Sequence, residues 1–271
     1  MAMVGFSAMA GTPALADGPQ RVVSINLCTD QLAMLLAAPG QLLSVSFLAL
    51  DPTSSAMVEE AAAFAINHSQ AEEIAFLRPD LVLAGRYSNA LTLQMLERLG
   101  YELLLFDPET SIADIRTNLR KMGKALGQEP RAEALIALMD RDLAALAAGL
   151  PDDRPRAALY YSAGYTLGAG SLADDILTHA GLQNIAPSLG LSGGGTLPLE
   201  ALVLAGPDVI VRGQSYEGYS RDEDLLRHPV LQHFLRPPRV ALQTTPEWTC
   251  GTPQTIAVIE QLAKAARHRP E

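Results

Sequence analysis

Cysteine and tryptophan are scarce: the 271-residue chain has two of the first and one of the second, and aromatic residues of all kinds make up 5%. Two cysteines are too few for a disulfide framework, so a packed apolar core has to hold the fold. Basic residues are in deficit, with 20 Lys and Arg against 30 Asp and Glu and a formal net charge of −10. That field repels phosphate backbones and anionic lipid, which argues against a nucleic-acid surface or a polybasic membrane contact. After the first residues, charges and glycines interrupt every apolar run before the roughly 18 residues a membrane helix needs. The five histidines, His68, His179, His228, His233 and His268, lack the close paired spacing of a zinc site, so neither zinc nor manganese binding is expected. The first strand is not followed by G-x-G-x-x-G, no glycine loop ends in the Lys-Ser/Thr of a Walker motif, and no G-x-S-x-G elbow occurs, which removes the usual nucleotide-binding and hydrolase signals.

What is present suits a folded protein of two lobes. Hydrophobic residues reach 48% and charged residues 18%, enough for buried cores. The first sixteen residues are uncharged, small and apolar, and end in Ala14-Leu15-Ala16 before Asp17, an A-x-A pattern open to signal peptidase. Residues 1–16 therefore read as the remnant of a signal peptide, and the protein as exported to the periplasm and soluble. No cysteine stands at that cleavage site, so nothing indicates a lipid anchor.

An internal repeat organises the rest. Ala71-Glu72-Glu73-Ile74-Ala75-Phe76-Leu77-Arg78-Pro79-Asp80-Leu81-Val82-Leu83 has a counterpart in Leu199-Glu200-Ala201-Leu202-Val203-Leu204-Ala205-Gly206-Pro207-Asp208-Val209-Ile210-Val211, with the Pro-Asp steps 128 residues apart (208 − 80). Each copy reads as a short helix opened by a glutamate, a turn, and an aliphatic strand buried on both faces. Arg21–Ile25 and Ala157–Tyr161 read as the strands that begin the two halves, with later strands at Glu102–Phe106 and Val240–Leu242. Strands alternating with helices imply parallel sheets, whose ligands bind beyond the carboxyl ends of the strands. The predicted architecture is α/β: two Rossmann-like lobes with parallel sheets, 17–110 and 151–271, joined by a single long backbone helix within a helical linker at 111–150. Within that region Ser111 caps a first helix, Gly127 ends it, and Pro130 starts a rod reaching to about Leu150.

This layout resembles the helical-backbone substrate-binding proteins of bacterial ABC importers, which carry cobalamin, ferric siderophores and heme. The resemblance rests on Arg21-Val22-Val23-Ser24-Ile25-Asn26, Leu77-Arg78-Pro79-Asp80-Leu81-Val82, Gly181-Leu182-Gln183-Asn184-Ile185 and Trp248, in that order. It implies a non-enzymatic monomer that captures a metal-chelate nutrient, needs no cofactor of its own, and docks on the permease through one glutamate per lobe. The matching positions are Glu72 and Glu200; either is also a first-turn glutamate that the helix dipole favours on its own.

Candidate cleft residues follow from the loops. Asn26-Leu27-Cys28-Thr29-Asp30 lies after the first strand and before a helix at Leu32–Ala38, with Asn26 and Thr29 equally readable as helix caps. His68, Arg86 and Tyr87 follow the next strands, and Tyr87 and Arg86 are suited to stack on or pair with a planar carboxylate-bearing ligand. In the second half, Tyr165 stands in a glycine-rich loop and Trp248 in a short loop that offers a platform. Cys28 and Cys250 precede one helix in each lobe, in loops expected to face each other. Three states are open to them: a disulfide, the default for an exported pair; two thiols that contact a metal centre; or two buried inert thiols. An α/β enzyme with a cleft cysteine as nucleophile, or a non-transporting sensor of the same fold, are the alternatives to transport.

Overall fold

The computed structural model describes residues 18–214, 221–237 and 239–267. The signal-peptide reading of residues 1–16 and His268 lie outside them.

The first lobe runs β1 (Val22–Ser24), α1 (Leu27–Leu36), β2 (Leu42–Ser46), α2 (Val58–Ala61), β3 (Ala65–Asn67), α3 (Ala71–Leu77), β4 (Leu81–Gly85), α4 (Ala90–Arg98) and β5 (Leu103–Phe106). Two helices follow, α5 (Ile112–Leu126) and α6 (Glu129–Ala147). The second lobe runs β6 (Arg156–Tyr160), β7 (Tyr165–Leu167), α7 (Leu172–His179), β8 (Gln183–Asn184), β9 (Gly194–Thr196), α8 (Leu199–Ala205), β10 (Val209–Arg212), α9 (Pro229–Phe234), β11 (Val240–Gln243) and α10 (Thr255–Arg267). The first sheet has the order β3-β2-β1-β4-β5 and the second β11-β10-β6-β8, and every pairing within both is parallel. An antiparallel pair, β7 with β9, was not legible in the sequence.

The repeated segment is a clamp with a physical purpose. In the first copy the Asp80 carboxylate accepts hydrogen bonds from the backbone N–H groups of Gln20 (2.7 Å) and Arg21 (2.9 Å), which fixes the entry to β1. Arg21 returns the contact by donating to the carbonyls of Leu77 (2.6 Å) and Arg78 (2.9 Å), orphan acceptors at the end of α3. In the second copy Asp208 accepts from the Arg156 N–H at 2.8 Å, and Arg156 donates to the Ala205 carbonyl at 2.5 Å. Both helices end on a left-handed residue, Arg78 (φ 46°) and Gly206 (φ 57°).

Strand alternation divides the core. Val23, Val82 and Ala84 of the first sheet pack outward against Ile74 and Leu96, while Ala158, Tyr160 and Ile210 of the second do the same against Leu202 and Phe234. The opposite faces, Val22, Leu81 and Leu83 with Ala157, Leu159, Val209 and Val211, share one continuous cluster threaded by α1, α5, α6, α7 and α10. The lobes are thus welded through Leu119, Met122, Ile136, Met139 and Leu143 rather than hung on a lone rod. Ser111 caps α5 by accepting from the Asp114 N–H, Gly127 ends it at φ 66°, and Pro130 lies in the first turn of α6, as expected. The helix α6 stops at Ala147, about 28 Å from its start at ~1.5 Å per residue. It packs against α5, close enough that a Cβ on Gly123 would sit 2.6 Å from that of Ala132. No helix among the described residues is long and apolar enough to cross a membrane.

Candidate functional site

Each sheet has its crevice where strand order reverses, between β1 and β4 in the first and between β6 and β10 in the second. At the first, a Cβ on Gly85 would lie 3.1 Å from the Asn26 amide; at the second, one on Gly213 would lie 3.1 Å from the Tyr161 ring. The two crevices face one another across a cavity of about 910 Å³. Its walls come from the loops after β1 (Asn26), β4 (Arg86, Tyr87), β5 (Asp107, Glu109), β6 (Tyr161), β10 (Gln214) and β11 (Trp248), with Tyr165 beside them.

Most of the residues expected at the cleft are in its wall, some in structural roles. Helix α1 begins at Leu27, not Leu32, because the Asn26 side chain accepts from the N–H groups of Cys28 and Thr29 and caps it. Cys28 and Thr29 therefore belong to its first turn. Thr29 is in the lining but buried, its hydroxyl donating to the Asn26 carbonyl (2.9 Å) and lying 2.8 Å from the Ser24 hydroxyl, so that hydroxyl is engaged within the chain. Tyr87 is 82% exposed at the rim. Arg86 is bound to Asp107, one of its bonds spanning 3.0 Å, and this pair holds the Asp107 carboxyl below the usual range.

His68 is the clear correction, since it lies outside the cavity lining. Glu73, in the first turn of α3, accepts from its backbone N–H at 2.7 Å and approaches its ring at 3.1 Å, while Phe47 stacks on it with centroids 5.7 Å apart. Cys250, 2% exposed, also lies behind the wall. The glycine-rich segment after β6 serves the chain itself: a Cβ on Gly168 would come within 2.2 Å of the Leu191 carbonyl oxygen. Tyr165 and Gly170 of that segment still reach the cavity.

The cysteines form a disulfide between the lobes, with Cα atoms 5.2 Å apart. That outcome removes the thiolate nucleophile on which the enzyme alternative depended. Beside it, Glu109 accepts from the Asn118 amide at 2.6 Å and reaches the Gly251 backbone; burial pushes its carboxyl up. A Cβ on Gly251 would meet Glu109 at 2.6 Å, which explains glycine at that point of contact. Gln214 donates to the Thr53 carbonyl at 3.3 Å, a further contact between the lobes in the cavity lining.

Asp107, Glu109, Tyr161 and Gln214 were missed by sequence reading. Their common signal was available: each stands within a few residues of the carboxyl end of a strand. Burial raises the Tyr161 hydroxyl above the ordinary phenol range and keeps it a neutral donor. Among the described residues, Arg86 is the one cation in the lining, and no histidine or free thiol joins it. No cluster of three or more His, Cys, Asp or Glu side chains among the described residues is placed to hold a bare metal ion.

Glu72 and Glu200 stand second in α3 and α8, each exposed at the surface. They lie away from the cavity lining.

A family model described as periplasmic binding protein matches residues 22–235. A cobalamin-binding protein of Halobacterium salinarum is 30% identical over 206 residues, or 74% of this chain; the match spans 56% of that relative's length. Among solved structures, the periplasmic heme-binding protein RhuT of Roseiflexus, in apo form, is similar with a TM-score of 0.75 and 21% identity, covering 93% of this chain and 100% of its own. A periplasmic heme-binding protein of Pseudomonas aeruginosa has a TM-score of 0.70 and 24% identity, covering 93% of this chain and 94% of its own.

Proposed function

Because the chain belongs to the periplasmic binding protein family, we propose that it captures a metal-chelate nutrient in the cleft between its lobes and delivers it to an ABC permease, without chemistry. The observation that carries this is the cavity of about 910 Å³ bounded by the strand-end loops of both sheets, with Tyr87, Tyr161, Tyr165 and Trp248 in its walls. Aromatic faces around a site of that size suit a large, flat, partly apolar ligand.

The charges favour a corrinoid over a ferric siderophore or heme. Among the described residues, two carboxylates, Asp107 and Glu109, face the cleft against one arginine that Asp107 already engages. Catecholate and carboxylate siderophore complexes and heme propionates are anionic and would meet that field unfavourably, whereas a cobalamin is close to neutral. With no histidine or thiol in the described lining, the wall suits a metal whose coordination the ligand itself largely completes. The 30% identical cobalamin-binding relative supports the same choice.

Docking completes the reading. Glu72 and Glu200, one on each lobe, are the carboxylates that would enter basic pockets of the permease, and the protein would work as an exported monomer. Purified protein should carry cobalamin through a size-exclusion column at one per chain, seen as corrin absorbance under the protein peak. Failure to retain it, with heme or a ferric siderophore retained instead, would overturn the corrinoid assignment. Nutrient uptake in cells carrying Glu72→Ala with Glu200→Ala should fall while cargo binding persists; unimpaired uptake would favour a sensor.

A further inference from the structure

Phe76 and Leu204 are 86% and 88% exposed, the highest values among the exposed large hydrophobic side chains of the described residues. Single exposed apolar residues are common on soluble proteins. These two are not independent, because they stand 128 residues apart (204 − 76), the spacing that also separates Glu72 from Glu200. Each comes four positions after its glutamate on a seven-residue helix, and residues i and i+4 share a helix face. The opposite sides of these helices bury Ile74 and Leu202 in the outer clusters of their lobes, so Phe76 and Leu204 cannot turn inward. The Asp80–Arg21 and Asp208–Arg156 clamps hold both helix ends in the same way. Both halves therefore present one carboxylate with one apolar side chain beside it, on a rigid base.

We infer that Phe76 and Leu204 are the apolar anchors of the permease-docking surface, each entering a hydrophobic hollow next to the basic pocket that receives its glutamate. The inference rests on the docking reading above. A partner with two equivalent sites, each cationic and apolar, is what a doubled surface on a chain of net charge −10 fits. A second copy of this chain would bring acid against acid, and an anionic lipid surface would be repelled by the same charge.

The test measures binding of cargo-loaded protein to the permease–ATPase complex that imports that cargo, held in nanodiscs, at low and high salt. Both side chains are exposed, so Phe76→Ala and Leu204→Ala should fold and bind cargo as the parent does, checked by Trp248 fluorescence. Each should weaken permease binding about tenfold, as expected for an anchor residue. That loss should persist at high salt, whereas the loss from Glu72→Ala with Glu200→Ala should shrink as salt rises. Permease affinity within twofold of the parent for the combined Phe76→Ala and Leu204→Ala variant would overturn the inference. If the glutamate variant is still impaired in that case, the docking reading stands; if it too binds normally, the docking reading fails as well. A dimer of the parent in sedimentation, dissolved by the same substitutions, would reassign the pair to self-association and also overturn the inference.

Discussion

Cys28, in the first turn of α1, and Cys250, ahead of α10, are bonded across a separation of 222 residues and tie one lobe to the other beside the cleft. Chain-entropy reasoning gives a loop of that length up to about 5 kcal/mol of stabilisation. Cys28→Ser with Cys250→Ser should therefore lower the melting temperature by roughly 10–20 °C for a domain of this size. Intact mass should rise by about 2 Da on reduction of the parent protein. An unchanged mass and an unchanged melting temperature would show that the bond does not form.

Asp80 joins the end of α3 to the entry of β1 by accepting two backbone N–H bonds at 2.7 and 2.9 Å. Asp80→Ala leaves those donors without the carboxylate and should cost about 1–2 kcal/mol in denaturant unfolding. Asp208→Ala should act in the same direction in the second lobe. Cargo affinity should change little, since neither carboxylate lies in the cavity lining.

Arg78 ends α3 in the left-handed region at φ 46°, where the repeat's other copy has Gly206 at φ 57°. The β-carbon is disfavoured there, and the bond that the Arg78 carbonyl accepts from Arg21 does not need the Arg78 side chain. Arg78→Gly should raise stability by about 0.5–1 kcal/mol after the added freedom of the unfolded chain is counted. A loss of stability would mean that the arginine side chain makes a compensating contact.

Asp30 is buried, and burial raises its carboxyl from 3.8 to about 6, against the lowering effect of the Ser24 and Ser46 hydroxyls, the latter donating at 2.5 Å. A carboxyl raised on folding favours the folded state below its unfolded value, near pH 4, and that contribution is lost as pH climbs through about 6. The shift corresponds to roughly 3 kcal/mol. Asp30→Asn removes the titration, so the stability difference should move in the variant's favour between about pH 4 and 7 and stay constant above that. Taking the difference between the two curves removes the opposite contribution of Asp51, Glu73, Asp107, Asp114 and Glu133, whose carboxyls are held low. Parallel curves for the two proteins would show that Asp30 does not titrate on folding.

The elements that repetition marks were legible in the sequence. The Pro-Asp steps fixed α3 with β4 and α8 with β10, and the parallel sheets followed from aliphatic runs buried on both faces. Loops after strands led to Arg86, Tyr87, Tyr165 and Trp248 because a parallel sheet places its crevice there. Other features depend on contacts between segments distant in the chain. The start of α1 at Leu27 comes from the Asn26 cap, and His68 is withdrawn from the cleft by Glu73 and Phe47. No local pattern announced that the inner faces of both sheets would merge into one core, or that Glu109 would meet Gly251.

The most direct test of capture in the cleft uses Trp248, the single tryptophan of the chain, in the cavity wall. Its fluorescence should be quenched saturably by cobalamin, with one binding site per chain and an affinity tight enough to survive dilution. Heme and representative ferric siderophores should compete weakly or not at all. A flat response to cobalamin and to every member of that panel would contradict the assignment of this cleft as a metal-chelate site.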